Sequence, residues 1–338
     1  SDLIVVRLVA DHARAQAAGG RPMLDRADEA RLVSAVLDAL FGLGRLQPLV
    51  DDDEIENIEI TGHDQVRLLM RDGAILHGEP VAESDEELID FLQFIASRGT
   101  ASGAERPFSQ SNPRLHLSLP GRGRLAATAW VTARPVVRIR RQTITDVTLA
   151  DLCALGSISY PLQRFLEAVM CARLNLVVSG EPGVGKTTFV RALAAAIPPA
   201  ESLATLESEW ELYLDRLPSR RLRPVEAFEA RPGAGEPGPD GRRAGAITLE
   251  ELFEDVLRHN VDRIIVGEVR GSEALAMFRA MQAGRGSLST IHAKNARDTA
   301  QRLVTCISGS GAGADYAWAL VATNIDLIVH LRADVDLT

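Results

Sequence analysis

At 338 residues, with 25% charged and 46% hydrophobic side chains, the chain has the composition of a globular protein of about two domains, which excludes a disordered or fibrous one. A formal net charge of −9 and an aromatic content of 4% argue against a surface built to coat nucleic acid. The three cysteines, Cys153, Cys171 and Cys306, form no C-x-x-C pair, so neither a disulfide framework nor structural zinc is expected, and no apolar run approaches the roughly 18 residues of a spanning helix.

Residues 3–18 predict a helix, Gly19-Gly20-Arg21-Pro22 breaks it, and 25–41 predict a second with Ala30, Val33, Val36, Leu37 and Leu40 on one face. From Glu54 to Arg141 the period shortens towards two. Ile55, Ile58 and Ile60 mark one strand and 66–70 another, and Arg71-Asp72-Gly73 turns the chain into a third at 74–77. Ser84 and Glu87 have capping-box spacing ahead of a helix with the apolar stripe Leu88, Phe91, Leu92 and Ile95. Arg114–Leu119 alternates, Pro120-Gly121-Arg122-Gly123 is a turn, and 124–131 and Val136–Arg140 read as further strands. An N-terminal helical and α+β domain with a mostly antiparallel sheet is expected over 1–141, then a linker over 142–150. In 151–338 apolar runs alternate with helical patterns, the signature of parallel βα units and an α/β fold. Within that half, 231–245 hold too much Gly and Pro for regular structure, and a long mobile loop is expected there.

The second half also carries the chemistry. Gly180-Glu181-Pro182-Gly183-Val184-Gly185-Lys186-Thr187-Thr188 fits the phosphate-binding pattern G-x-x-x-x-G-K-[ST]. It lies between an apolar strand-like run, 174–179, and a helix-forming segment, 189–197, as the pattern requires. Glycines let backbone N–H groups close around phosphate oxygens, Lys186 reaches the β/γ-phosphates and the Thr187 hydroxyl ligates Mg²⁺. Three more runs each end on one polar residue: 203–206 on Glu207, 263–267 on Glu268 and 288–291 on His292. In open parallel sheets ligands bind outside the carboxyl ends of the strands, so these side chains are expected beside the phosphate loop. Glu268 follows the pattern of the acid that organises Mg²⁺ or orients the attacking water. Glu207 has Glu209 and Glu211 as neighbours, so a solvated acidic loop is the plainer alternative, and for His292 it is a cap for the helix starting near Asn295; position favours the functional reading of both. The other six histidines, His12, His63, His77, His116, His259 and His330, show no ligand spacing. Arg124, Arg138, Arg140 and Arg141 cluster near the end of the first half, either as solvated strand faces or as guanidinium groups for a nucleotide's phosphates.

On these segments the chain resembles the secretion ATPase superfamily, the motors of type II secretion, type IV pili, Tad/Flp pili and type IV secretion. The phosphate loop, residues 203–212, 263–271 and 283–296, and Asp326-Leu327-Ile328-Val329-His330 carry the likeness, the second to fourth resembling the family's acidic box, second nucleotide motif and histidine box. Gly42-Leu43-Gly44-Arg45-Leu46-Gln47-Pro48-Leu49 and Val137-Arg138-Ile139-Arg140-Arg141 extend it into the first half. With no tetracysteine module, the chain looks most like the Tad pilus branch. The resemblance implies a PAS-like N-terminal domain and a RecA-like ATPase domain with ATP and Mg²⁺ between them. It also implies a homohexameric ring at the cytoplasmic side of an inner membrane, docked on a platform protein. Lys186 and Thr187 carry over as phosphate and Mg²⁺ contacts, Glu268 as the hydrolytic acid, Glu207 and His292 as box residues, and Arg140 and Arg124 as phosphate-reaching arginines. Two departures stand out. Ser208 replaces the second acid that usually follows Glu207, and Arg285 follows Gly284 where the family usually has histidine. A RecA-like nucleic-acid motor shares the loop and the acid, but the chain lacks the basic and aromatic segments that would grip a strand.

Overall fold

The structure is a computed structural model that describes residues 2–20, 25–98, 107–119, 123–141, 146–217, 224–231, 233, 238–239, 241–271, 273–283 and 286–333. The chain divides into two compact units, Ser1–Thr143 and Ile144–Thr338.

The first unit opens with α1 (Asp2–Ala18) and α2 (Arg26–Phe41), then a short turn leads into α3 (Gln47–Asp51). The stripe expected on α2 is not buried; Leu40 is 50% exposed. The pattern told which face was apolar, but it did not say whether anything would cover it. An antiparallel sheet follows: β1 (Ile55–Thr61), β2 (Gln65–Met70), β3 (Ile75–Gly78), α4 (Asp85–Ser97), β4 (Arg114–Leu119), β5 (Gly123–Thr128) and β6 (Val136–Arg140), in the order β3-β2-β1-β6-β5-β4. Ile55 and Ile58 both face inward because the β1–β2 register slips between Ile55 and Asn57, a bulge that breaks the two-residue period. Ser84 caps α4 by accepting from Glu87 N–H (3.2 Å), while the Glu87 carboxylate reaches the N–H of Glu83 (2.6 Å), one residue short of a regular capping box. Leu88, Leu92 and Ile95 of α4 close the core over one sheet face with Ile58, Ile60, Leu115 and Ile139. The strand expected over 124–131 stops at Thr128. Trp130 turns left-handed (φ 62°), and its ring packs 4.9 Å from that of Phe108, so a tertiary contact overrides the local alternation. The expected turn residues 120–122 lie outside the described residues.

In the second unit come α5 (Leu149–Ala154), α6 (Tyr160–Cys171), β7 (Leu176–Gly180), α7 (Lys186–Ala195), β8 (Leu203–Glu207), β9 (Val225–Glu229), α8 (Leu249–Arg258), β10 (Arg263–Val269), α9 (Glu273–Gln282), β11 (Ser287–His292), α10 (Ala296–Gly309), α11 (Ala314–Asn324) and β12 (Leu327–Leu331). The helix α5 begins at Leu149, under a capping box of Thr148 and Asp151, so the last two residues of the expected linker are helical. Six strands, all parallel, run β12-β7-β11-β10-β8-β9. Alternate strand residues face opposite layers. Leu176, Val178 and Ile265 pack with α5, α6 and α7, whereas Val177, Ile264 and Val266 pack with α8, α9, α10 and α11. Each fully buried Leu, Ile or Val in these layers contributes roughly 1.5–3 kcal/mol. At the amino edge Arg263 Nε donates to Glu201 Oε2 (2.5 Å) and the Asn175 amide reaches Asn324 O (2.8 Å), which fixes strand register away from the phosphate loop. Arg231 pairs with Ile247 (2.9 and 2.8 Å), closing the ends of the Gly/Pro-rich segment. Residues 232, 234–237 and 240, within the expected mobile loop, lie outside the described residues.

Candidate functional site

Strands β7, β8, β10 and β11 bring their carboxyl ends to one edge of the parallel sheet. Beyond β7 the chain turns through Gly183 and Gly185 at φ +82° and +85°, left-handed values that favour glycine, and a Cβ at either would meet open space. Gly185 caps α7 without a side chain, so the first-turn N–H groups of Lys186, Thr187 and Thr188 have no side-chain cap and face the loop. Glu181 and Pro182 are exposed at its crest, and Val184 is half-buried beneath it.

Lys186 is only 7% exposed, and its Nζ donates to Gly180 O (3.1 Å), Glu181 O (2.8 Å) and His292 Nδ1 (3.0 Å). An ammonium has no lone pair, so Nδ1 must accept and the imidazole proton sits on Nε2. That Nε2 lies 2.8 Å from Glu268 Oε1, while Glu268 Oε2 accepts from Arg270 Nε (2.8 Å) and lies 2.6 Å from Arg270 Nη2. A continuous line, Lys186–His292–Glu268–Arg270, therefore links the phosphate loop to β11 and β10. Asn295, not His292, caps α10. Glu268 sits inside β10, not beyond it. The β10–β11 register slips between Val266 and Glu268, and this bulge at Gly267 sets the Glu268 side chain.

Glu207 takes another position. Its carboxyl is buried and its Oε2 accepts from the N–H groups of Glu211 (2.8 Å) and Leu212 (2.9 Å). Burial pushes this carboxyl up to about 7, against the pull of those two hydrogen bonds. The side chain lies across Gly267, where a Cβ would come 2.8 Å from Glu207 Cγ. Buried Arg191 holds the same loop, donating to Leu212 O (2.9 Å) and Glu211 O (2.5 Å). The loop so gripped presents Glu211, whose Oε2 accepts from Thr187 Oγ1 (3.3 Å). Sequence reasoning passed over Glu211 as a solvated neighbour; the four-residue spacing from Glu207 was the available signal. Thr187, Glu211 and Glu268 supply hydroxyl and carboxylate oxygens, a donor set suited to a hard cation such as Mg²⁺. Ser208 is exposed, its Oγ 3.5 Å from Glu273 Oε1, and Gly284 and Arg285 lie outside the described residues.

In the first unit Arg124 and Arg140 stand directly opposite each other on β5 and β6, with Asn57 opposite Arg140 on β1. Arg138 and Arg141 bond the unit's own backbone, at Ile60 O (2.9 Å) and Ile55 O (3.1 Å) respectively.

A glycine loop between a parallel strand and a helix, with acids near the carboxyl ends of two other strands of the same sheet, is the arrangement of phosphate-loop α/β proteins. Residues 89–332 match the family model for Type II/IV secretion system protein, and the chain belongs to that family. It is 29% identical over 267 residues to an uncharacterized protein of Methanocaldococcus jannaschii, covering 78% of this chain and 45% of that one. The chain thus spans less than half the length of that relative. With the type IV secretion system protein PtlH of Bordetella pertussis it shares 31% identity over 275 residues, covering 73% of this chain and 78% of that one. The structure of the ATPase DotB of Legionella pneumophila superposes with a TM-score of 0.58 at 19% identity, over 84% of this chain and 73% of that one, a likeness of fold.

Proposed function

We propose that the protein is an ATP-hydrolysing motor of a secretion or pilus-assembly machine, with the Tad pilus as the branch its sequence most resembles. It works as a homohexameric ring on the cytoplasmic side of an inner membrane, against a platform protein of that machine. The contact line Lys186–His292–Glu268 carries the reading, because it joins the lysine of the glycine loop, through β11, to an acid on β10. Family membership and the kinship with a type IV secretion protein support it.

The loop amides from Gly183 to Thr188 receive the β- and γ-phosphates. Lys186 trades its contacts with Gly180 O and Glu181 O for phosphate oxygens, a charge-assisted exchange in which each new bond contributes about 1.5–3 kcal/mol. Where Lys186 also gives up its bond to His292 Nδ1, the imidazole responds to nucleotide. Glu268 orients the attacking water and takes its proton on a carboxylate oxygen. Mg²⁺, held by Thr187 with Glu211 and Glu268, would neutralise charge on the phosphates. Arg124 and Arg140 add guanidinium contacts to them.

Lys186→Ala should abolish phosphate release and weaken binding of a fluorescent ATP analogue, whereas Glu268→Gln should bind the analogue as the parent does and not hydrolyse ATP. Full turnover by Glu268→Gln would remove the acid from its role. Light scattering with a non-hydrolysable analogue should find a ring, and a fully active monomer would contradict one. Stimulation of turnover by single- or double-stranded DNA would favour a nucleic-acid motor instead.

A further inference from the structure

Arg270 ends the line that starts at Lys186. It follows β10 with a side chain 62% exposed, yet that side chain is not loose. Its Nε and Nη2 both close on the same Glu268 oxygen, at 2.8 and 2.6 Å, and its own carbonyl accepts a weak bond from Cys306 Sγ on α10 (3.6 Å). The same guanidinium stands 4.0 Å from Glu211 Oε1, so one cation lies between the two carboxylates nearest Thr187 and His292. Two donors of one planar guanidinium fork on a single oxygen hold Oε2 in place along a set direction, a geometry an ammonium does not reproduce. With Oε2 engaged in this way, Oε1 is left at 2.8 Å from His292 Nε2, on the phosphate-loop side. Without the fork, Glu268 would repel Glu211 and be free to rotate.

We propose that Arg270 is a positioning residue for the hydrolytic carboxylate, locking the Glu268 side chain so that Oε1 faces His292 and the phosphate loop. This rests on the hydrolytic reading of Glu268 given above. The lock acts on the orientation of the acid and not on the grip of Lys186 or the loop on nucleotide. Its loss is therefore felt in kcat, with nucleotide affinity retained.

The test uses the full chain as parent, Arg270→Ala and Arg270→Lys, comparing steady-state phosphate release, binding of a fluorescent ATP analogue and thermal unfolding. Arg270→Ala should lower kcat by about 10- to 100-fold, the scale of an angstrom-sized misplacement of a reacting group. KM, analogue affinity and melting temperature should stay close to the parent's, and Arg270→Lys should recover only part of kcat. A kcat for Arg270→Ala within about twofold of the parent's overturns the assignment and leaves the hydrolytic reading standing. Full recovery by Arg270→Lys overturns the lock in favour of charge alone. Loss of analogue affinity in step with kcat assigns Arg270 to binding, which also overturns it. A parent that binds the analogue but releases no phosphate overturns the hydrolytic reading and this inference together.

Discussion

Replacing Glu207 with Gln should remove a pH-dependent loss of stability from the second unit. The Glu207 carboxyl is 2% exposed, and burial raises it from the ordinary 4.5 to about 7. Between those values the folded chain holds a proton that the unfolded chain has released. Stability therefore falls as pH rises from about 4.5 to about 7, then levels off. At about 1.4 kcal/mol per unit, that rise corresponds to about 3 kcal/mol. Glutamine keeps the volume, and its carbonyl can still accept from the N–H groups of Glu211 and Leu212, but it carries no charge to desolvate. The neighbouring Glu211 carboxylate raises the Glu207 value further, so the comparison is best made as variant minus parent, which cancels groups titrating alike in both. For a unit of this size about 3 kcal/mol moves the melting temperature by roughly 6–12 °C. Thermal unfolding at constant ionic strength between pH 5 and pH 8.5 should show the variant pulling ahead of the parent by that amount as pH rises. Melting curves that stay parallel across the range would refute the reasoning, because they would mean that Glu207 ionises as it does in water.

Gly267→Ala should cost about 1–3 kcal/mol, because its Cβ would press on Glu207 Cγ at 2.8 Å. The cost should largely vanish in a Glu207→Ala background, measured by denaturant unfolding, and an additive double variant would rule out the clash. Arg140→Ala should lower ATP turnover by about 10- to 100-fold, as expected if one charge-assisted phosphate contact is lost, with little change in melting because Arg140 is exposed. Arg140→Lys should rescue poorly, and turnover at the parent rate in Arg140→Ala would take the residue out of the site.

Where the sequence was legible, the local pattern was already the physical cause. A glycine-rich loop after an apolar run admits one backbone solution, and Lys186 and Thr187 stand where that solution puts them. The strand ends at Glu207 and His292 were readable because apolar runs in a parallel sheet stop at its edge. Glu268 was misplaced by one step because the bulge at Gly267 depends on register with β11, which no local window contains. Glu211 was passed over because acids in a row read as solvated. The two backbone bonds to Glu207, and the Arg191 contact behind them, fold that acid towards Thr187. β9 escaped notice for a related reason: all five of its residues are half-buried at the sheet's edge, so Val225, Ala227 and Phe228 compete with two glutamates and no clean alternation results.

The arrangement also explains why an imidazole stands between the loop and the acid. The parallel register sets His292 beside Gly180, the first residue of the loop, so its side chain lies between Lys186 at the start of α7 and Glu268 on β10. A cationic side chain there would face Lys186, and an anionic one would face Glu268; either would leave one like-charge contact at hydrogen-bonding distance, in a region where burial strengthens it. A neutral imidazole accepts from the ammonium at Nδ1 and turns its Nε2 edge to the carboxylate 2.8 Å away, so neither end meets a like charge. Its two nitrogens are then linked through a single tautomer. On the proposed reading, a phosphate that draws Lys186 away would release the acceptor at Nδ1 while Nε2 still faces Glu268, which Arg270 holds from the other side. Nucleotide arrival at the loop would, on that reading, reach the acid as a change of hydrogen-bond partner.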